Sequence, residues 1–171
     1  MHLLRKKLLL LEDLTTSVLT RDLTELSASH EEADTRIILQ AIDAQTNSVV
    51  VCATDIDVFI LLVAHLSEIK SDHVWMMTGT STKRSYIPIK DVFQRIPPHS
   101  IDSLLAFHSL TRCDTTSFFY GHSKKSSWSV FLEHYDLLKD VGNGDIYQAM
   151  LDSMEKFVSY ILWNNSILLM R

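Results

Sequence analysis

Apolar positions along the chain occur either as short continuous runs or at helical spacing, which predicts strands interspersed with helices. Residues 48–53 are a β-branched run without polar alternation, typical of a strand buried on both faces of a parallel sheet. Residues 73–78 form a second such run, which ends at Gly79. Residues 85–89 are predicted as a short edge strand, where Pro88 is tolerated because one side of the strand needs no hydrogen bonds.

Helical spacing covers most of the remaining sequence from residue 29 onward. The predicted helices are 29–44 with Ser29 as N-cap, 58–66, 91–95, 100–110 with Ser100 as N-cap, 124–138 and 146–162. Their inward faces are predicted to carry Leu104, Leu105, Phe107, Trp128, Phe131, Leu132, Met150, Met154, Phe157 and Ile161. Strands that alternate with helices, followed by a helical end, predict an α/β fold with a mostly parallel central sheet flanked by helices.

The composition is that of a single domain with extensions: 171 residues, 46% of them hydrophobic, with only 4 Gly and 3 Pro. Cys52 and Cys113 fit no disulfide or zinc pattern, which favours an intracellular protein, nuclear or cytoplasmic. No run approaches the roughly 20 apolar residues of a membrane span, and the N-terminal leucines lack a cleavage site. We therefore expect no membrane partner and no secretory signal.

Charge is unevenly distributed along the chain. The formal net charge is −5, yet residues 83–125 contain seven basic and three acidic residues. A local basic patch can attract an anionic partner even where the total charge is negative.

Five carboxylates stand out by position, on three separate elements. Asp55 and Asp57 follow the strand 48–53, and in open α/β sheets ligands bind beyond the carboxyl ends of the strands. Glu32 and Asp34 open a predicted helix, where they could equally serve the cap and the dipole; Asp114 follows a helix end, where it could be an ordinary turn residue. Carboxylates that converge from several elements are what a pair of Mg²⁺ or Mn²⁺ ions requires for phosphodiester hydrolysis.

The phrases Glu32-Ala33-Asp34, Thr54-Asp55-Ile56-Asp57 and Cys113-Asp114 resemble the flap-endonuclease-like branch of the PIN-domain superfamily. Those structure-specific 5′ nucleases have E-A-E, then D-x-D after a buried strand, then G-S-D or G-C-D. The surrounding sequence also resembles a group of uncharacterised, transposon-associated animal proteins. The resemblance covers roughly residues 29–139, between a poorly defined extension at 1–28 and a C-terminal helix and tail at 140–171.

The resemblance implies a three-layer PIN-like fold and a nuclease that uses Mg²⁺ or Mn²⁺ on nucleic acid, DNA more than RNA. Asp55, Asp57 and Asp114 would be catalytic, and these three together with Glu32 and Asp34 would bind the metal. Nucleases of the family follow the last aspartate with a G-x-G-x-K segment that holds the DNA backbone. The corresponding residues here are Gly121, Ser123, Lys124 and Lys125, and a helix that begins there is itself suited to phosphate.

Two departures from the family pattern bear on activity. Arg112 occupies the place of a glycine, and a backbone with φ > 0 at that position would be strained by any side chain. The family also supplies an aspartate from its first strand, whereas Asp13 and Asp22 lie in weakly patterned sequence. The comparison predicts a copy that is incomplete at its N-terminus. The alternative function is a catalytically inactive PIN-like module that binds nucleic acid or a protein partner.

Other chemistries have less support in the sequence. The run before Asp55-x-Asp57 also resembles the nucleophile motif of haloacid-dehalogenase phosphatases, but Phe59 replaces the usual Thr or Val and the later G-D-x-x-x-D is missing. There is no G-x-S-x-G or P-loop motif. The aromatic cluster 118–120 could stack on bases, although packing beneath its own loop is the favoured interpretation.

Overall fold

The computed structural model describes residues 9–10, 33–113, 116–117 and 119–168. Within these ranges, the side chains of residues 33–163 are described as well. The chain divides into two compact units, Met1–Arg95 and Ile96–Arg171. This boundary falls inside the range 29–139 that the resemblance treats as one domain. Each unit has buried apolar residues of its own, and the two are described separately below.

The first unit contains a small sheet whose strands follow the predicted runs. Its strands are β1 (Leu9–Leu10), β2 (Ser48–Cys52), β3 (His73–Gly79) and β4 (Arg84–Pro88), in that spatial order. Strands β2 and β3 are parallel, with Cys52 opposite Met77, whereas β1 and β4 pair antiparallel with their neighbours. The α/β class is thus confirmed, and β4 closes the order as an edge strand, as predicted.

The described sheet is mixed, so the expected mostly parallel arrangement is not confirmed. The reason lies in the connections: β3 and β4 are joined by the short turn 80–83, and a turn of this length can link only antiparallel neighbours. The connection from β2 to β3 contains a helix, which is the usual crossover between parallel strands.

Helices of the first unit pack on one another and against the sheet. They are α1 (Ala33–Asp43), α2 (Ile56–Ala64) and α3 (Ile89–Phe93), with a 3₁₀ turn at Leu66–Glu68. Helix α2 contacts both α1 and α3, while α1 also contacts β2 and α3 also contacts β3. The three-layer arrangement is not confirmed by these contacts and stays a prediction.

The two faces of the sheet differ in burial. Val49, Val51, Val74 and Met76 alternate along one face of β2 and β3 and are at most 3% exposed. On the other face Val50 is buried, whereas the neighbouring Cys52, Trp75 and Met77 are half-buried. The centre of β2 is thus buried on both faces, as its continuous apolar run predicted.

The second unit is helical and is built around aromatic side chains. Its helices are α4 (Leu104–Leu110), α5 (Lys124–His134) and α6 (Gln148–Leu168), with 3₁₀ segments at Pro98–Ser100 and Tyr135–Leu138. Phe107 stacks on Phe131 with ring centroids 4.5 Å apart and meets Phe157 edge to face at 6.3 Å. These residues were predicted to face inward, and the predicted stripe on the last helix is also buried at Met150, Phe157 and Ile161.

Two details of the predicted helices were wrong. The fourth helix begins after Ser103 rather than after Ser100, because a 3₁₀ turn follows Pro97 and the Ser100 hydroxyl donates to the Pro97 carbonyl at 2.8 Å. Leu132 is 38% exposed rather than in the core. The buried face of α5 is set by Ser127, Val130 and Phe131, and the residue after Phe131 is turned about 100° away from it.

Candidate carboxylate site

Asp55 and Asp57 lie where β2 gives way to α2. The ladder between β2 and β3 extends to the Ala53 amide, which donates to the Met77 carbonyl at 3.1 Å. Asp55 is then the N-cap of α2: its Oδ1 accepts a hydrogen bond from the Asp57 amide at 3.0 Å. Both aspartates are half-buried. The structure therefore gives Asp55 a capping role and positions both carboxylates at the carboxyl end of a parallel strand.

Asp34 is brought to the same edge of the sheet by the chain connections. Helix α1 is joined to β2 by the four residues 44–47, and β2 is joined to α2 by the three residues 53–55. Connections this short reverse the chain, so both helices run opposite to β2 and begin at its carboxyl end. Contacts between α1 and α2 agree with this arrangement. Asp34 in the first turn of α1 thus shares an edge with Asp55 and Asp57.

Helix ends give this edge a favourable potential for carboxylates. The first turn of an α-helix presents unpaired amide hydrogens and the positive end of the helix dipole. Asp34 and Asp57 lie in the first turns of α1 and α2. Two such helix ends offset part of the repulsion between acidic side chains that share one edge.

Oxygen donors of this kind suit a hard divalent cation such as Mg²⁺ or Mn²⁺. Glu32 and Asp114, two of the five predicted ligands, lie outside the described residues. Within the described part of the chain, no three His, Cys, Asp or Glu side chains come close enough together to hold a metal ion. The donor chemistry therefore fits the cation, while the described carboxylates alone do not complete a ligand set.

The turn after α4 has the strained backbone that the glycine comparison suggested. Arg112 has φ of +104°, which makes it the one non-glycine residue with positive φ in the described chain. The Thr116 hydroxyl holds this turn: it donates to the Ser109 carbonyl at 2.6 Å and accepts from the Cys113 amide at 3.1 Å. A residue held at positive φ persists only where the surrounding structure stabilises it, and such residues cluster at functional sites.

The predicted phosphate-binding residues lie at the start of α5 and serve different roles. Gly121 has φ of +79° and lies in the turn before the helix. Ser123 is the N-cap, and its hydroxyl accepts from the Ser126 amide at 3.1 Å in a capping box. The Lys124 amine donates to the carbonyls of His108, at 3.0 Å, and Arg112. Lys125 is exposed. Of the two lysines, only Lys125 presents its amine mainly to solvent.

Tyr120 departs from the favoured interpretation of the aromatic cluster. Its side chain is 95% exposed, whereas Phe119 is half-buried and Phe118 lies outside the described residues. Tyrosine is on average intermediate in burial, so this side chain is unusually exposed. Gly121, which follows Tyr120, has positive φ, and no signal in the sequence indicated that Tyr120 would face solvent.

The chain was compared with family models, with curated proteins and with solved structures, and none of them matches it. No helix among the described residues is long and apolar enough to cross a membrane.

Proposed function

We propose that this chain is the nuclease-like portion of a divalent-metal-dependent nuclease of the flap-endonuclease-like branch of the PIN-domain superfamily, with its three-layer fold. It hydrolyses phosphodiester bonds in nucleic acid, DNA in preference to RNA. The observation that carries this proposal is the placement of Asp34, Asp55 and Asp57 at one edge of the sheet. That edge lies beyond the carboxyl end of the parallel strand β2, where α/β folds place their chemistry.

Each carboxylate has a definite part in this proposal. Asp55, Asp57 and Asp114 are the catalytic residues, and Glu32 and Asp34 are further metal ligands. Mg²⁺ or Mn²⁺, as a pair when bound, would neutralise charge on the phosphodiester and lower the pKa of a water molecule. Asp55 uses Oδ1 to cap α2, which leaves its second oxygen for a cation. The cap also fixes the orientation of this carboxylate, because the Asp57 amide holds one of its oxygens in place.

Cleavage assays test the proposal. Labelled 5′-flap and single-stranded oligonucleotides are incubated with the purified chain and Mn²⁺, alongside Asp57→Asn and Asp55→Asn. We expect each substitution to reduce cleavage about a hundred-fold or more, because removing one group that stabilises the transition state has effects of this size. Asparagine caps helices about as well as aspartate, so the fold is retained.

The matched control is Asp72→Asn. Asp72 is exposed and directly precedes β3, at the opposite edge of the sheet, so the same change of charge there leaves cleavage unaltered. Equal cleavage by the wild-type chain and Asp57→Asn would refute the proposal, since the activity would then come from another site or another protein.

A second candidate function is a non-catalytic module that binds single-stranded nucleic acid. Two observations favour it: the strained Arg112 two residues before the predicted Asp114, and the exposed side chains of Tyr120 and Lys125, which are five residues apart in the chain. An exposed aromatic ring and a nearby cation are the elements with which proteins stack bases and contact phosphates.

Binding without metal tests this second candidate. The affinity for single-stranded DNA is measured by fluorescence anisotropy in EDTA for the wild-type chain, Tyr120→Ala and the control Tyr147→Ala, whose ring is 47% exposed. Loss of one stacked base should weaken binding by about 5-fold to 100-fold. Equal affinity of Tyr120→Ala and Tyr147→Ala would show that Tyr120 does not contact the DNA. A wild-type chain that does not bind single-stranded DNA would refute the second candidate function.

A further inference from the structure

The hairpin formed by β3 and β4 has a rigid tip. The turn between the strands is closed in both directions, because the Thr80 amide donates to the Lys83 carbonyl at 3.1 Å and the Lys83 amide donates to the Thr80 carbonyl at 3.2 Å. Gly79 precedes the turn with φ of +98°, and a Cβ at this position would collide with the Lys83 carbonyl oxygen. The conformation of the tip is thus fixed by hydrogen bonds within the turn, and the Thr80 hydroxyl adds another by accepting from the Lys83 amide at 3.3 Å.

Strand register places this tip at the same sheet edge as the carboxylates. Cys52 at the end of β2 is opposite Met77, and Met77 is opposite Tyr86. The hairpin therefore continues past Cys52 by two more residue pairs, ending with Gly79 opposite Arg84, which is about 7 Å of extended chain. Strand β4 lies two strand spacings from β2, or about 10 Å. The tip projects beside the chain segment that carries Asp55 and Asp57.

The tip is basic and exposed. Lys83 and Arg84 are exposed, and neither forms an ion pair with any described carboxylate. Arg84 and Tyr86 are two residues apart in β4, so their side chains lie on the same face of the strand. Tyr86 is 51% exposed. A guanidinium group and an aromatic ring side by side on an edge strand form a surface with both charge and stacking capacity.

We propose that this hairpin holds the phosphodiester backbone of a nucleic-acid strand next to the carboxylate site. The inference rests on the proposed function and names the residues that position its substrate. A polyanionic strand is repelled by an edge that carries three carboxylates, so a site of this kind needs cations close by. Lys83 and Arg84 supply them by contacting successive phosphates, Arg84 through the paired donors of its guanidinium group. Tyr86 stacks against a base of the same strand.

Binding measured without metal separates this role from catalysis. The affinity for a fluorescein-labelled 5′-flap DNA is determined by anisotropy in EDTA at several salt concentrations for the wild-type chain and the double variant Lys83→Gln/Arg84→Gln. Removing one cation that neutralises a phosphate lowers the slope of log affinity against log salt by about 0.7 to 0.9, so the expected decrease for two cations is about 1.4 to 1.8. We also expect roughly ten-fold weaker binding at low salt.

The matched control is Lys70→Gln/Lys139→Gln, which removes the same charge. Lys70 is exposed at the opposite end of the sheet, three residues before β3 begins, and Lys139 is exposed in the other unit. Affinity and slope should then remain close to those of the wild-type chain. Thermal unfolding measured by circular dichroism should be the same for both double variants, since all four side chains are exposed.

Two results would overturn the inference. One is an equal effect of the two double variants, expected if the charges of the hairpin only keep the edge strand β4 from pairing with other chains. The other is a wild-type chain that does not bind the DNA. Failure of the proposed function gives a different pattern: no cleavage in Mn²⁺, with binding that still depends on Lys83 and Arg84. Cleavage that is lost in Asp57→Asn but unchanged in Lys83→Gln/Arg84→Gln would contradict the role of the hairpin and leave the proposed nuclease function standing.

Discussion

The side-chain amine of Lys124 donates a hydrogen bond to the carbonyl oxygen of Arg112, the described non-glycine residue with positive φ. The same amine donates to the His108 carbonyl at 3.0 Å. The last carbonyls of a helix have no partner within the helix, and a cation at that end also interacts favourably with the dipole. Lys124 thus joins the start of α5 to the end of α4 and supports the strained turn between them.

This contact predicts that the two neighbouring lysines have separable roles. Lys124→Gln should lower the free energy of unfolding by about 1 to 3 kcal/mol, because the charge-assisted hydrogen bonds to helix-end carbonyls are removed. Lys125→Gln should leave stability unchanged, since Lys125 is exposed, and should weaken DNA binding instead. Urea denaturation and DNA anisotropy on the two variants measure both effects. Equal destabilisation by the two substitutions would contradict the assignment.

Arg112 itself offers a test of backbone strain. Arg112→Gly should raise the free energy of unfolding by about 1 kcal/mol: relief of the strain at φ of +104° contributes about 1 to 2 kcal/mol, and the greater freedom of glycine in the unfolded chain offsets part of it. Arg112→Ala is the control: it removes the guanidinium but keeps the Cβ that causes the strain, so it should bring no gain. If both variants are equally stabilised, the charge of Arg112 rather than its backbone is the unfavourable feature.

Glycines at positive φ allow the cost of strain to be separated from the cost of collision. Gly79→Ala should destabilise by more than about 2 kcal/mol, because its Cβ would meet the Lys83 carbonyl in addition to the unfavourable φ. Gly142→Ala has a similar φ of +90° with nothing within 4 Å of the added Cβ, so only the conformational cost of about 1 kcal/mol remains. Thermal denaturation of the two variants measures the difference. Similar losses in both would mean that the hairpin tip yields to the methyl group.

The predictions that the structure confirmed concern buried elements, which are marked by short-range patterns of apolar residues. The β-branched run at β2 and the apolar spacing around Phe131 mark buried elements because burial depends on a few adjacent side chains. The N-cap at Ser103 was misplaced because a 3₁₀ turn after Pro97 delays the helix, and a short turn of this type leaves little sequence signal. The sheet was expected to be mostly parallel and is mixed, because strand direction depends on connection length and pairing and not on the apolar run itself.

The sequence indicated which residues could form the site, but it did not show which of their side chains come together. Asp55 and Asp57 were identified because they follow a buried strand, and chain reversal through short connections places Asp34 with them. Nothing in a single sequence gives the direction of an exposed side chain. For this reason Tyr120 was expected to pack under its loop, and Lys124 was expected to face a phosphate although its amine caps α4.

Asp55 has two roles in the proposal, and two substitutions separate them. Asp55→Ala removes the hydrogen bond to the Asp57 amide and should lower the free energy of unfolding by about 1 kcal/mol, the usual cost of losing an N-cap. Asp55→Asn keeps an oxygen that can accept this bond, so stability should change little. Both substitutions remove the negative charge, so both should abolish Mn²⁺-dependent cleavage. If activity instead follows stability, so that Asp55→Asn is as active as the wild-type chain, then Asp55 serves only as the cap of α2. Catalysis would in that case depend on the neighbouring carboxylates.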